Sequence, residues 1–321
     1  MRAIGIDIGG TKIAAALVDE TGAIERRLKR KTPAGDGPAI VDAVVDLVTE
    51  LAGGDTSIPA GVAAPGFIDL AQSTVYYAPN INWRHEPLRE VLSRRLPGVH
   101  ITIDNDANAA GWAEFRFGAA REQHDMTLLT LGTGVGGAIV TGGQLLRGGF
   151  GAGGEIGHLR LVPQGLPCGC GQRGCLEQYG SGRALLRMAN EIADAGGIGQ
   201  NLAAVREAQG ALDGDIVGAL IQEDDPGALA ALRELGGWIG QACASLSAVL
   251  DPELFVFGGG VSAAGETLLE PIREAFHAHL PARGFHPEPD FVIATLGNDA
   301  GMVGAADLAR TALGAVPGVA G

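Results

Sequence analysis

Ala3-Ile4-Gly5-Ile6-Asp7-Ile8-Gly9-Gly10-Thr11-Lys12-Ile13-Ala14-Ala15-Ala16-Leu17-Val18-Asp19 decides the fold. Ala3 to Ile8 reads as a strand, Gly9-Gly10-Thr11-Lys12 as a tight turn, and Ile13 to Asp19 as the returning strand, with Thr21-Gly22 opening the next turn. The same plan recurs near the middle of the chain. Thr127 to Leu131 reads as a strand, Gly132-Thr133-Gly134-Val135-Gly136-Gly137 as the turn, and Ala138-Ile139-Val140 as the return, closed by Gly142-Gly143. The chain carries an internal duplication.

Each turn can cradle phosphate, because glycine lets several backbone N–H groups point at one anion while a threonine hydroxyl adds a donor. Neither is a P-loop, since Gly9-Gly10-Thr11-Lys12 lacks the long glycine loop of that motif. Gly132, Gly134 and Gly137 also spell a dinucleotide fingerprint, with Glu155 acidic some way downstream. That fingerprint requires a helix directly after the glycines, and a strand and turn follow here, which argues against a dehydrogenase. A third glycine turn, Gly258-Gly259-Gly260-Val261-Ser262, follows the short apolar strand Leu254 to Phe257 and a helix-like segment from about Pro226 to Val249. Triple glycine brings backbone close to something flat or anionic, such as the adenosine and ribose of a nucleotide.

Between the first two turns lies Asp104-Asn105-Asp106-Ala107-Asn108, where a strand ends and a helix begins. Asp106 is placed where a helix N-cap belongs, yet the cluster holds more polar groups than a cap requires. A polar cluster at the carboxyl end of a strand is a site location. Asn105 with Asp106 offers amide and carboxylate together, a common way to grasp sugar hydroxyls.

Three of the four cysteines, Cys168, Cys170 and Cys175, fall within eight residues, where scatter would place about 0.1 of one. With His158 they make a one-imidazole, three-thiolate set, which suits a closed structural zinc site with no open position for catalysis. A disulfide is the weaker reading, because Cys168 and Cys170 are separated by a single residue and the chain is poor in cysteine. Cys243 lies in a small-residue helical run and reads as core.

The formal charge of −14 over 321 residues argues against nucleic acid or anionic membrane as partner. The basic run Arg26-Arg27 with Lys29-Arg30-Lys31 reads as a solvated face. No apolar run is long enough to span a membrane and no leader peptide is recognisable, so a cytoplasmic address is expected.

Asp7-Ile8-Gly9-Gly10-Thr11-Lys12, Asp104-Asn105-Asp106-Ala107-Asn108, Leu131-Gly132-Thr133-Gly134-Val135-Gly136-Gly137, and Gly154-Glu155-Ile156-Gly157-His158 with Cys168-Gly169-Cys170-Gly171-Gln172-Arg173-Gly174-Cys175-Leu176-Glu177 together resemble the sugar kinases of the ROK family, especially its zinc-containing bacterial glucokinases. The resemblance spans nearly the whole chain. It implies an actin-like, ribonuclease-H-like α/β fold of two lobes with mixed sheets and a cleft between them. The small lobe would be 1–105 plus about 306–321, the large lobe 106–305 with a zinc loop at 158–175, and a helix from about Ala300 to Leu313 would return to the first lobe.

The activity so implied is ATP-dependent phosphorylation of a hexose, most simply glucose to glucose 6-phosphate, with Asp106 as general base. Asp7 would hold Mg²⁺ through water. Gly9, Gly10, Thr11, Lys12, Gly132, Thr133 and Gly134 would surround the phosphates, and Gly258, Gly259 and Gly260 would line the adenosine pocket. Asn105, Asp106, Glu155, His158 and Glu177 would contact the sugar, with Gly66 and Asn80 as further members. Homo-oligomers, dimers or tetramers, are expected of such enzymes.

Other readings within the family are a kinase for N-acetylmannosamine, fructose or allose, a polyphosphate-using kinase, and a non-enzymatic sugar-binding regulator. A repressor would need an N-terminal DNA-binding module, and the first strand begins almost at Met1.

Overall fold

The computed structural model describes residues 1–33, 35–78 and 81–314. Contacts divide the chain into two compact units. One joins Met1–His124, Ala138–Gly154 and the chain from Thr295 onward; the other joins Asp125–Gly137 and Glu155–Ala294.

In chain order the first unit opens with β1 (Ala3–Ile8), β2 (Lys12–Val18) and β3 (Ile24–Lys31), followed by α1 (Gly37–Ala52) and β4 (Ala60–Ala64). A small antiparallel sheet of β5 (Phe67–Ile68), β6 (Val75–Ala78) and β7 (Trp83–Glu86) comes next, then α2 (Leu88–Arg95), β8 (Ile101–Asn105) and α3 (Asp106–Phe117). The main sheet runs β3-β2-β1-β4-β8. Its first pairings are antiparallel and those of β1 with β4 and of β4 with β8 are parallel, so the sheet is mixed.

Strand periodicity sorts the side chains between two faces. Ile4, Ile6 and Ile8 point into a cluster with Ile40, Val44, Leu47, Leu88 and Leu92 of α1 and α2. Ala3, Ala14 and Ala16 point the other way, against Ala113 of α3 and residues of the last helix. The outer strand β3 alternates exposed Arg and Lys, as suits an edge that must not recruit another strand. Arg26 and Arg30 pair with Glu50 and Arg27 pairs with Asp299, which makes the basic run the solvated face its composition suggests.

The chain continues through β9 (Met126–Leu131), β10 (Val135–Thr141) and β11 (Gln144–Leu145), then α4 (Glu177–Gly180), α5 (Gly182–Ala195), α6 (Gln200–Gln209), α7 (Gly214–Gln222) and α8 (Pro226–Leu250). It ends with β12 (Leu254–Gly258), α9 (Glu266–His279), β13 (Asp290–Ile293) and α10 (Ala300–Ala312). α8 is bounded as its sequence dictates: Asp225 caps it, Pro226 occupies the first turn, and Asp251 ends it in the left-handed region.

The second main sheet runs β11-β10-β9-β12-β13, again mixed. In each sheet the strands therefore lie third, second, first, fourth, fifth, and the duplication read from the two glycine turns extends to the topology of both sheets. The expected α/β fold with mixed sheets is what the chain adopts. One expectation needs correction: Gly136 and Gly137 belong to strand β10, so the second turn is only Gly132-Thr133-Gly134.

α10 lies on the first sheet with its backbone nearly touching the strands. A Cβ on Gly5 would sit 1.7 Å from the Met302 carbonyl oxygen, and one on Gly61 1.8 Å from that of Ala305. Gly304 makes the reciprocal approach to α3, 1.7 Å from the Ala109 oxygen. Arg310, almost fully buried, then ties α10 to the end of β2 through the carbonyls of Val18 and Asp19 and pairs with Asp307.

Candidate active site

In the first unit the β1–β2 hairpin closes with the Gly9 N–H donating to the Lys12 carbonyl at 3.0 Å. The Thr32 hydroxyl donates to the Gly9 carbonyl at 2.7 Å and the Thr32 N–H to that of Thr11 at 3.1 Å. These bonds turn the carbonyls of the loop inward. Gly10, Thr11 and Lys12 are exposed at its tip.

Asp7 ends β1 beside that turn, half-buried. Burial, and then the charge of Asp106, lift its carboxyl to about 6, with Lys12 working in the opposite direction. The side chain of Asp106 keeps some accessible surface, yet the protein packed around its carboxyl raises its pKa too, by desolvation, against hydrogen bonds that include the Ala107 N–H. Two neighbouring acids, with one lysine acting on Asp7, concentrate negative charge here, which fits a cation-assisted site.

The helix cap is not Asp106 but Asn105, whose Oδ1 accepts from the N–H groups of Ala107 and Asn108 at 2.9 and 3.1 Å. Its Nδ2 donates to the Gly66 carbonyl at 3.0 Å. Gly66 itself must be glycine, with φ +100 and a Cβ position 2.1 Å from the Tyr77 oxygen. Gly66, Asn105 and Asp106 are thus brought together, with Asn105 capping the helix and Asp106 Oδ1 accepting from the Ala107 N–H at 2.8 Å. Asn80 lies outside the described residues.

Behind this junction Asp104 is buried and fully satisfied. Oδ1 accepts from the Asn105 N–H at 2.9 Å and Asn108 Nδ2 at 3.0 Å. Oδ2 accepts from Gln72 Nε2 at 2.8 Å and from both Nε and Nη2 of Arg147, at 2.9 and 2.6 Å.

In the second unit Gly132, Thr133 and Gly260 line one cavity of about 690 Å³, walled by Leu185 and Leu186 of α5 and Val217 and Ile221 of α7. That is the size of a nucleotide-scale ligand pocket. Gly134, Gly258 and Gly259 do not line it; a Cβ on Gly134 would meet Glu177 Oε2 at 2.3 Å, Gly259 has φ +86, and a Cβ on Gly258 would make only ordinary contacts, the nearest Ala294 Cβ at 3.4 Å. Gly132 and Gly260, like Gly10 in the first unit, have neither a positive φ nor any atom within 4 Å of a Cβ position. Each of the three turns thus has a glycine with open space at its Cβ position, as expected where a ligand needs the space.

Glu177 opens α4 and faces the second turn: its Oε2 accepts from the Val135 N–H at 3.3 Å. Arg183 bridges the two, donating to the Thr133 carbonyl at 2.8 Å and to Glu177 Oε1 at 3.4 Å. Glu155 immediately precedes the short 3₁₀ turn Ile156–His158, and its carbonyl accepts from the His158 N–H at 3.0 Å.

The ligand atoms of His158, Cys168, Cys170 and Cys175 all lie within 4.8 Å of one another. Cys168 Sγ is 3.7 Å from His158 Nδ1, and the Cys170 and Cys175 sulfurs are 3.7 Å apart. A tetrahedral zinc ion at about 2.3 Å from sulfur and about 2.0 Å from nitrogen spaces its ligands about 3.6–3.8 Å apart. All four cysteines are free thiols. Bridges between Pro167 and Arg173 and between Arg160 and Cys175 frame the loop, so the donor set fits a closed metal site.

Gln72, Arg147 and Arg183, and the apolar walls of the cavity, carry no local motif and emerge only from the fold. A family model described as ROK family matches residues 3–312. The chain is 44% identical over 312 residues to a glucokinase of Streptomyces coelicolor, covering 96% of this chain and 97% of that one. It is 40% identical to a glucokinase of Halalkalibacterium halodurans, covering 94% and 92%. A crystal structure of a ROK family glucokinase from Streptomyces griseus in complex with glucose and AMPPNP superposes with a TM-score of 0.86 at 44% identity, covering 97% of this chain and all of that one.

Proposed function

This chain belongs to the ROK family, and from that premise we propose that it is a glucokinase, transferring the terminal phosphoryl group of ATP to glucose to give glucose 6-phosphate. The observation that carries the reading is the full-length likeness, at 44% identity, to an enzyme crystallised with glucose and an ATP analogue.

Asp106 is the general base. It accepts the proton of the sugar hydroxyl as the new O–P bond forms, a contribution of about 10²–10⁴-fold, while positioning and charge neutralisation supply most of the remainder. Its raised pKa makes it a stronger base than an ordinary aspartate. On the family likeness, Gly10, Thr11 and Lys12 are phosphate contacts, as are Gly132 and Thr133, and the cavity against α5 and α7 takes the adenosine. Mg²⁺, when bound, neutralises the phosphates, and Asp7 is the residue suited to hold it through water.

The sugar is gripped by Asp106, Glu155, His158 and Glu177, with Asn105 and Gly66 shaping the backbone. Zinc would be held by His158, Cys168, Cys170 and Cys175 and would serve as scaffold, fixing the direction of the imidazole so that its other nitrogen can meet the sugar.

The test is coupled ADP release over glucose, N-acetylmannosamine, fructose and allose, with Asp106→Asn as control. Glucose is expected to give the highest kcat/KM. A higher value for another sugar overturns the substrate, and no stimulation by any sugar overturns the enzyme reading in favour of sugar binding alone.

A further inference from the structure

Arg147 stands just beyond β11, in a stretch whose composition, Arg147-Gly148-Gly149-Phe150-Gly151-Ala152-Gly153-Gly154, offers no other basic residue. Its guanidinium meets the buried Asp104 carboxylate through two nitrogens on one oxygen, at 2.9 and 2.6 Å, and Gln72 donates to the same oxygen. Gln72 adopts φ +53, a left-handed conformation uncommon for this residue type, inside a turn held by the carboxylate of Asp69. Two chain segments distant in sequence from Asp104 and from each other thus converge on one buried carboxylate.

The other Asp104 oxygen holds the Asn105 N–H and the Asn108 side chain. Those groups lie immediately before and shortly after Asp106, at the turn where strand becomes helix. Asp106 cannot shift along the chain direction unless Asp104 shifts, and Asp104 is pinned from behind. The same arginine anchors the start of the glycine segment: the Gly153 N–H closes it back onto the Arg147 carbonyl at 2.9 Å, and Glu155 follows directly.

We propose that Arg147, through its pair with Asp104, is a positioning residue for phosphoryl transfer, setting the carboxylate of Asp106 against the reacting hydroxyl. This rests on Asp106 being the base. A buried ion pair is weak evidence for stability, because desolvation offsets much of the Coulombic gain. Its position, rather than the stability it adds, is what the fold uses. Misplacement of a reacting group by about 1 Å can cost about 10²-fold in rate.

The experiment compares Arg147→Lys, Arg147→Met and the neutral double variant Asp104→Asn/Arg147→Met, reading kcat, KM for glucose and ATP, and thermal midpoint. Lysine keeps the charge paired but cannot make the two-nitrogen contact, so this variant is expected to fold and to lose about 10-fold in kcat, with KM for ATP unchanged within about twofold. Methionine is expected to lose about 100-fold in kcat. The double variant, which strands no charge, is expected to regain the thermal midpoint but not kcat.

Wild-type kcat in Arg147→Lys, or recovery of kcat together with stability in the double variant, overturns the proposal. Asp106→Asn separates the two readings. If it retains turnover, the base assignment fails; if it is inactive while the Arg147 variants turn over normally, only the positioning role fails.

Discussion

Asn105 takes the cap of α3: its Oδ1 accepts from Ala107 and Asn108, while Asp106, the first residue of the helix, also accepts from the Ala107 N–H at 2.8 Å. Aspartate is as good a cap as asparagine, so sequence preference alone could not separate the two. Asn105 thus supplies the two-bond cap, and the Asp106 carboxylate, held by the Ala107 N–H through Oδ1, is the one proposed to take the proton.

Replacement of Asp106 by Asn is therefore expected to leave the fold intact and lower kcat by about 10²–10⁴-fold. Burial raises the Asp106 pKa, and a base works only when deprotonated, so wild-type kcat should fall as pH drops, starting above the range of an ordinary aspartate. A kcat–pH profile with coupled ADP release checks both. An acid limb in the usual aspartate range would contradict the buried environment.

Asp7 gives a stability prediction of defined sign. Its carboxyl is raised from 3.8 to about 6, so the folded chain binds more protons than the unfolded chain between those values. The favourable contribution is present at low pH and is lost as pH rises through about 6, at a cost of at most about 3 kcal/mol. In chelator, without nucleotide, Asp7→Asn should melt higher than wild type at pH 7.5, and the gap should shrink to about half by pH 5 and close only towards pH 4. Paired melting curves at the two pH values decide it; a constant gap would contradict the environment described for Asp7.

The His158, Cys168, Cys170, Cys175 cluster should yield about one zinc per chain, and Cys175→Ser should lose it. Chelation is expected to lower the thermal midpoint by about 5–10 °C and to raise KM for glucose at least about tenfold, as the imidazole loses its orientation. Metal analysis and calorimetry before and after chelation give the answer. Unchanged stability with substoichiometric metal would remove zinc from the account.

Gly134→Ala should spare the fold, because the atom in its way is the end of a flexible side chain, Glu177 Oε2 at 2.3 Å. The carboxylate must move off the Val135 N–H, so kcat/KM for glucose is expected to drop about tenfold. Measured in a Glu177→Gln background, the same substitution should add little.

Gly61→Ala meets backbone instead, the Ala305 carbonyl oxygen at 1.8 Å, and α10 must lift from the sheet. A loss of about 2–4 kcal/mol is expected. Urea unfolding is the measurement, and a loss below about 0.5 kcal/mol would contradict the close approach.

What could be read in advance followed from local chemistry. β1 with its turn and β2, the long α8 between Asp225 and Asp251, and the ligand spacing of Cys168, Cys170 and Cys175 all carry their signal within a few residues. The end of the second turn was misjudged because Val135-Gly136-Gly137 looks like loop, while pairing within the sheet overrides the low strand preference of glycine. Arg147 and Gln72 left no trace because their common partner, Asp104, is remote in the chain. The walls around Gly132 were equally silent: Leu185 and Val217 are ordinary apolar helix residues until α5 and α7 turn them toward one cavity.

The covering of the first sheet has a consequence for the order of synthesis. One face is complete once α1 and α2 exist, but the other waits for α10, whose backbone lies against Gly5 and Gly61. On the ribosome that alanine-lined face is covered only in part, by α3, while the whole second unit is made, on the order of 10 s or more at about 5–20 residues per second. The small residues that admit the helix also make the waiting surface only weakly adhesive, since alanine and glycine bury little apolar area. α10, translated after the second unit, is thus the helix that commits the first sheet to its final state.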